Sequence, residues 1–142
     1  MTIFNPYLNF LGNTEEAFNF YKSVFGGDFL ALVRFGDTSE AEKLPEENKN
    51  KIMHIALPLN ENTILMGTDC LPDMGQNLTF GNNFSICIDV DSRHEADRLF
   101  NDLSKDGNIK SSMADMDWGD YFGYFFDKFG VQWMISLDQS KK

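Results

Sequence analysis

The sequence predicts an α+β fold made of two repeated βαβββ modules, on the basis of three observations. An amphipathic helical pattern occurs twice, and the second copy follows the first by 79 positions. Four strand-like runs accompany each helical pattern, in the same order in both halves. The last run of the first half, TILM at 63–66, also matches the last run of the second half, VQWM at 131–134, at an offset of 68 positions. The two halves are therefore expected to share one fold.

The first helix is predicted over residues 13–25. Asn13 is a favourable residue for the N-terminal cap, and two glutamates in the first turn complement the helix dipole. Gly26 and Gly27 predict the end of the helix. The apolar face consists of Ala17, Phe20, Tyr21 and Val24.

The second helix is predicted over residues 92–105. Ser92 and Glu95 have the spacing of a capping box, and Gly107 marks the stop. Its apolar stripe repeats that of the first helix, position for position. The stripe consists of Ala96, Leu99, Phe100 and Leu103.

The strand-like runs complete each module. The first half contains IFNPYLNF, FLALVRF, KIMHIALPL and NTILMG, and the second contains NFSICIDV, IKSSMAD, DYFGYFFD and VQWMISL. We predict one domain, 1–142, with a first module over about 1–69, a linker over 70–83 and a second module over about 84–138. The helix and strand offsets differ by 11 residues, which the acidic segment 36–50 accounts for. This segment is either a surface excursion or a lid.

Composition excludes several classes of function. The net charge of −10 arises from 22 acidic and 12 basic residues, without a basic run that could neutralise several phosphates. Nucleic acid is therefore not an expected partner. The chain shows neither a leader pattern nor a long apolar run, so we expect a soluble, cytoplasmic protein that does not bind membranes. Cys70 and Cys87 do not form a CxxC pair, and Cys87 is expected to be a small buried apolar residue.

Few residues suggest chemistry. The chain lacks a Gly-rich phosphate loop, a GxSxG elbow and an HExxH helix. His94 lies in the first turn of the second helix and is expected to be exposed. His54 lies within a strand, where it is either a hydrogen-bonded structural residue or faces a ligand as acid, base or donor.

The segment 113–130 is the densest in aromatic residues and leads into a strand and a turn. Trp118 and Asp120, with Tyr121 beside them, are placed to form an aromatic wall with a carboxylate at the mouth of a cavity. The alternative is a tryptophan that covers the edge of a sheet. The stretch Asp127 to Gly130 is predicted to be the turn.

Three motifs carry a resemblance to a known family. They are PYLNFLGNTEEAFNFYKSVFGG, IMHIALPL with ILMGTD, and WGDYFGYFFDKFGVQWMIS. Together they resemble the PhnB-like branch of the vicinal-oxygen-chelate superfamily, which includes glyoxalase I, bleomycin-resistance proteins and extradiol dioxygenases. The resemblance implies two βαβββ modules whose strands curl into a cupped mixed sheet, the glyoxalase/bleomycin-resistance-like fold, usually completed in a homodimer.

The resemblance also implies where a metal ion would be held. Metal-dependent members of the superfamily use one ligand from the first and one from the last strand of each module, and the matching positions are Pro6, Met66, Ser85 and Met134. These side chains are poor ligands for a divalent ion, so no metal is expected. Some members of the branch are described as ubiquinone-type methyltransferases. The chain has no Gly-rich strand-to-helix turn for a nucleotide-like methyl donor, so no cofactor is expected.

The sequence therefore predicts a homodimeric, metal-free protein that binds a small organic molecule, flat or cationic, in an aromatic-lined cavity. The candidate cavity residues are His54, Met66, Ser85, Trp118, Asp120, Tyr121 and Met134. One alternative is a metal-dependent glyoxalase-type lyase or isomerase. Another is an interaction module that dimerises without binding a ligand.

Overall fold

Eight strands and two long helices form in the computed structural model, which describes residues 1–141. The chain consists of two compact units, unit 1 being Met1–Thr79 and unit 2 beginning at Phe80. Each unit contains one helix and one four-stranded mixed sheet. The predicted α+β class and the two βαβββ modules are confirmed. Neither helix in this part of the chain is long and apolar enough to cross a membrane.

Unit 1 has the strand order β1-β4-β3-β2, in which β1 is parallel to β4 and the other neighbours are antiparallel. Its elements are β1 (Tyr7–Phe10), α1 (Thr14–Phe25), β2 (Ala31–Arg34), β3 (Ile52–Pro58) and β4 (Ile64–Asp69).

Unit 2 has the equivalent order β5-β8-β7-β6, again with its first and last strands parallel. Its elements are β5 (Ile86–Asp89), α2 (Arg93–Ser104), β6 (Asn108–Asp115), β7 (Asp120–Phe126) and β8 (Gln132–Asp138).

In unit 1, α1 packs against β3 and β4. Strand alternation places Leu8, Gly67 and Ile55 on this side, where the ring of the fully buried Phe18 lies over Gly67. The opposite side of the sheet is the helix-distal face of unit 1. Its residues on β1, β3 and β4 are Tyr7, Asn9, His54, Met66 and Thr68.

In unit 2, the rings of Phe100 on α2 and Phe125 on β7 meet edge to face, with centroids 5.0 Å apart. The helix-distal face of unit 2 carries the alternate residues, which include Asp120, Phe122, Tyr124, Met134 and Cys87. The prediction that Cys87 is buried is wrong, because its thiol is exposed on this face of the edge strand β5.

The start of α1 is held by a residue that is distant in sequence. Asn13 is the N-cap residue of α1, as its position predicts, but its side chain makes no capping hydrogen bond. Instead, the buried Asp69 at the end of β4 accepts hydrogen bonds through Oδ1 from the backbone of Gly12 and Thr14, both at 3.0 Å, and from the Thr14 hydroxyl at 2.6 Å. Its Oδ2 accepts one from the backbone N–H of Ile52 at 2.7 Å. One carboxylate thus joins α1, β3 and β4.

The start of α2 agrees with the prediction at Ser92, whose Oγ accepts a hydrogen bond from the backbone of Glu95 at 3.1 Å. The predicted capping box is only half formed, because within the described part of the chain the Glu95 carboxylate does not return a hydrogen bond to the backbone of Ser92. The Glu95 side chain pairs with Arg98. The predicted turn after β7 is confirmed. Within it, Asp127 accepts hydrogen bonds from two backbone N–H groups and from the indole of the fully buried Trp133.

The acidic segment 36–50 contains short 3-10 turns rather than a strand. Hydrogen bonds hold both of its ends to the rest of unit 1. The N–H of Phe35 donates to the carbonyl of Lys51 at 3.0 Å, and the buried Asn48 donates through Nδ2 to both carboxylate oxygens of Asp73 at 3.1 Å.

Arg34 on β2 and Glu15 on α1 form a two-pronged ion pair, with both N···O distances at 2.9 Å. The hydrogen bond from Arg34 is the main cause that lowers the pKa of Glu15 below its ordinary value of 4.5, although burial acts in the opposite direction. The Glu15 side chain is 43% exposed, so solvent screens the pair.

Replacing Glu15 by glutamine is expected to lower the free energy of unfolding at neutral pH by about 0.5–1 kcal/mol. A carboxyl whose pKa is lowered by folding stabilises the protein above its ordinary pKa, and this contribution is lost as the pH falls through the folded value. The difference from the wild type should therefore vanish under acidic conditions. Urea unfolding measured from neutral to acidic pH checks this, with the exposed neighbour Glu16→Gln as control. A difference that is independent of pH would contradict the assignment.

Candidate functional site

A cavity of about 550 Å³ lies in unit 1, at the carboxyl ends of β1 and β4. Asn9 and Thr68 lie opposite each other in the register of these strands, and the chain continues from β4 through Asp69 and Cys70 along the cavity wall. The remaining lining residues come from the end of β2, the start of β3 and the loop after β4, and they are Phe35, Met53, Gln76 and Asn77. The volume is in the range that holds a small organic ligand.

Several polar groups of the lining are already hydrogen-bonded within the protein. Both carboxylate oxygens of Asp69 are occupied, as described above. The Thr68 hydroxyl donates to the carbonyl of Met53 at 2.8 Å, and Oε1 of Gln76 accepts from the backbone of Leu71 at 2.6 Å. Among the residues that the structure describes, the carboxamides of Asn9 and Asn77 and the amino group of Gln76 make no such hydrogen bond, so they remain for a ligand, as does the acceptor oxygen of Thr68. The lining therefore offers neutral donors and acceptors.

His54 and Met66 lie on the helix-distal face of unit 1, near Tyr7. Tyr7 Oη and His54 Nδ1 are 3.2 Å apart, and the two ring centroids are 5.8 Å apart. Burial raises the pKa of Tyr7, so its hydroxyl keeps its proton at neutral pH and can donate it to Nδ1. His54 is thus hydrogen-bonded on the same sheet face as Asn9 and Thr68 of the cavity.

The strand register defines the neighbours at the superfamily's metal positions. Met66 lies opposite Tyr7. Pro6 precedes β1, and its carbonyl accepts a hydrogen bond from the backbone N–H of Met66. In unit 2, Met134 lies opposite Cys87, and Ser85 precedes β5.

Ser85 is hydrogen-bonded to Gln132. None of the four positions Pro6, Met66, Ser85 and Met134 carries an imidazole or a carboxylate. Within residues 1–141, no three His, Cys, Asp or Glu side chains are placed to hold a metal ion. These residues do not fit the superfamily's divalent ion, which needs several such ligands.

Trp118 and Asp120 come together at the start of β7, where the indole Nε1 donates to Oδ2 of Asp120 at 2.9 Å. The Trp118 ring is 69% exposed, so it covers little of the sheet edge. Nearby on the helix-distal face of unit 2, the rings of Phe122 and Tyr124 are 6.1 Å apart. These residues form the aromatic cluster of that face.

Tyr121 is not brought together with the other candidates. It points to the helix side of β7, where its hydroxyl donates to Asp97 on α2 at 2.6 Å and the Arg93 guanidinium lies 4.0 Å from its ring centroid. The hydrogen bond to Asp97 is the main cause of a raised pKa for Tyr121. The side chain of Tyr121 therefore joins β7 to α2.

Cys87 is exposed on the helix-distal face of unit 2, but its environment does not activate the thiol. The neighbouring side chains partly desolvate the sulfur, which raises its pKa, and the carboxylates of Asp89 and Asp120 raise it further. A thiol with a raised pKa remains protonated at neutral pH and is a poor nucleophile.

The cavity residues Asn9, Thr68, Gln76 and Asn77 were missed by sequence reasoning. Asn9 is the polar residue between Leu8 and Phe10, so strand alternation alone places it on the face away from the core. Gln76 and Asn77 lie in a stretch rich in Gly, Pro and Asn that was interpreted as a linker. Their approach to β1 and β4 depends on the course of that loop, for which the sequence carries no periodic signal.

Two four-stranded mixed sheets, each with one helix, define a glyoxalase/bleomycin-resistance-like fold. An enzyme of the glyoxalase/bleomycin resistance protein/dioxygenase family from Burkholderia phytofirmans PsJN shares this fold, with a TM-score of 0.63 at 16% identity over 93% of this chain and 96% of that chain. A family model described as 3-demethylubiquinone-9 3-methyltransferase matches residues 2–136. The chain belongs to this family, the PhnB-like branch of the vicinal-oxygen-chelate superfamily.

Individual relatives match over nearly their whole length. Protein PA1353 from Pseudomonas aeruginosa is 36% identical, with a TM-score of 0.85 over 97% of this chain and 98% of that chain. The PhnB protein from Bacillus cereus is 27% identical, with a TM-score of 0.76 over 96% of this chain and 99% of that chain. Protein YjdN from Escherichia coli K12 is 28% identical over 94% of this chain and 93% of its own length.

Proposed function

We propose that this PhnB-like chain binds a small organic molecule without a metal ion, and that the binding site is the cavity of unit 1. The observation that carries the proposal is the cavity of about 550 Å³, in which unpaired carboxamides adjoin an aromatic ring and a thioether. Ligand sites commonly combine an apolar wall with a few polar groups that orient the molecule. The hydrogen-bonded Tyr7–His54 pair lies on the same sheet face, outside the lining of the cavity.

Independence from metal is proposed on the chemistry of the residues. The neighbours Tyr7 and Met66 in unit 1, and Cys87 and Met134 in unit 2, provide a phenol, a thiol and two thioethers. Divalent ions of the kind used in lyases prefer carboxylate, imidazole and water ligands. The metal-dependent lyase or isomerase is therefore the second candidate.

The family description names a methyltransferase, but the residues do not fit a nucleotide-like methyl donor. Such a donor is held at a Gly-rich turn by backbone amides at the start of a helix. In unit 1, the amides of Gly12 and Thr14 are occupied by Asp69. In unit 2, the turn of residues 90–92 contains no glycine. We therefore propose no methyl transfer. The homodimer expected from the sequence stays a prediction.

The proposal is tested by NMR on the full, ¹⁵N-labelled chain with a library of small neutral, anionic and cationic organic fragments. Binding at the cavity should shift the signals of Asn9, Thr68, Gln76 and Asn77. The same chelator-treated protein should show no change in melting temperature with Ni²⁺, Zn²⁺ or Mn²⁺. Fragments that shift only signals elsewhere would contradict the cavity, and stabilisation by a metal would favour the lyase. A chain that responds to neither would be an interaction module.

A further inference from the structure

We propose that the cavity of unit 1 selects an uncharged, flat molecule in which a carbonyl oxygen and an N–H group lie side by side, as in a primary carboxamide on an aromatic ring. This inference rests on the proposed function, and it names the chemical class of the ligand. It follows from the hydrogen-bonding groups that the protein leaves available and from the charges that it has already compensated.

The lining contains one carboxylate, and hydrogen bonds from the protein already stabilise its negative charge. Asp69 is 2% exposed and accepts hydrogen bonds from Gly12, Thr14 and Ile52, so both of its oxygens are directed at protein donors. Two of these donors belong to the start of α1, where the helix dipole also favours negative charge. A cationic ligand would have to compete with these donors, so Asp69 gives it little compensation for lost hydration.

An anionic ligand is disfavoured for a different reason. The lining has neither lysine, arginine nor histidine, and the chain carries a net charge of −10. An anion entering the cavity would therefore lose hydration without gaining a cationic partner, in the field of an acidic protein. A neutral molecule incurs neither cost.

The groups that remain available determine what a neutral molecule should present. The side chains of Asn9 and Asn77 make no hydrogen bond to other groups within residues 1–141, and each offers an N–H donor beside a carbonyl acceptor. Because Gln76 uses its Oε1 on the backbone of Leu71, it offers donors alone. Carboxamides pair well with a ligand that has the same donor and acceptor side by side. The amino groups of Asn9, Gln76 and Asn77 each need an acceptor, so a carbonyl oxygen or ring nitrogen on the ligand is needed.

The apolar part of the lining favours a flat ring. Phe35 follows β2 and is held in place through its N–H, which donates to Lys51, while Met53 lies on β3. Both line the cavity. A planar ring can stack on or meet the edge of phenylalanine, and a thioether packs well against an aromatic ring.

Three probes of nearly equal shape separate the charge classes, namely nicotinamide, nicotinate and 1-methylnicotinamide. They are uncharged, anionic and cationic, respectively, at neutral pH. Each is titrated into the full, ¹⁵N-labelled chain, and dissociation constants are taken from the shifts of the Asn9 and Asn77 signals. We expect nicotinamide to bind about ten-fold more tightly than either charged probe, because each charged probe loses hydration without compensation.

The variant Asn9→Asp tests the cavity directly, because it introduces a carboxylate of the same shape. It should weaken nicotinamide and strengthen 1-methylnicotinamide, reversing their order. The control Asn101→Asp changes the net charge equally on the exposed side of α2 and should leave all three constants unchanged. Asn77→Ala, in the loop after β4, gives a second variant outside the sheet and should weaken nicotinamide.

Three outcomes would overturn the inference. If a charged probe bound as tightly as nicotinamide and shifted the same signals, the charge selection would be wrong while the cavity remained a binding site. If no probe shifted the cavity signals but a charged fragment from the library did, the ligand class would again be wrong. If no compound in either experiment shifted them, the proposed function would fail as well.

Discussion

Replacing Asp69 by asparagine is expected to lower the free energy of unfolding by about 3 kcal/mol. The asparagine keeps one acceptor oxygen, but its amino group would face backbone donors where the second carboxylate oxygen now lies. Either the N–H of Ile52 or the donors of Gly12 and Thr14 would lose their acceptor. Because Asp69 and Thr14 are buried, water cannot readily replace the lost hydrogen bonds.

Urea denaturation followed by circular dichroism measures this effect. The control Asp117→Asn removes the same charge from an exposed turn of unit 2 and should change the stability little. The Asp69 variant should also lose amide protection at the start of α1. A loss no larger than that of the control would show that the donors of α1 find other acceptors, and the role assigned to Asp69 would be wrong.

Replacing Gly67 by alanine is expected to cost about 2–3 kcal/mol, since it adds a methyl group to a filled core. An ideal Cβ at Gly67 would lie 2.6 Å from Cε1 and 2.9 Å from Cζ of Phe18, and 3.3 Å from the carbonyl oxygen of Leu8. The Phe18 ring is fully buried between α1 and the sheet, so it cannot move aside without displacing its neighbours.

A second substitution identifies the cause. In a Phe18→Leu background the smaller side chain leaves room for the methyl group, so Gly67→Ala should cost much less there than in the wild type. The control Gly81→Ala adds a methyl group where nothing lies within 4 Å of the ideal Cβ. Equal costs of Gly67→Ala in both backgrounds would show that the Phe18 contact is not the reason for the glycine.

The elements of the fold could be predicted because their signals are local and repeated. The apolar stripes located both helices, and the order of the eight strand-like runs located every strand. Ser92 marked the start of α2 correctly. Asn13 also marks the N-cap of α1 correctly, but its side chain is not the acceptor for the first turn. The actual acceptor, Asp69, is 55 positions from Thr14, and no local pattern reveals such a partner.

The candidate site could be predicted less well, because it depends on the directions of side chains and on the course of a loop. Asp120 and Tyr121 are adjacent in sequence, so strand alternation necessarily sends one to α2 and the other to the opposite face. Cys87 lies within an apolar run, but β5 is an edge strand, so one side of it is exposed. The sequence does not determine the direction of His54, because its contact with Tyr7 depends on the register of β1, β4 and β3.

The position of Asp69 divides the cavity wall into a part that can be altered freely and a part that cannot. A substitution at Asp69 that reshaped the cavity would also disturb α1 and β3, so a change of ligand specificity made there would also lower the stability of the fold. Asn9 and Asn77 are exposed side chains that carry no comparable structural duty. A redesign for another ligand should therefore begin with these two residues, leaving the carboxylate beneath them unchanged.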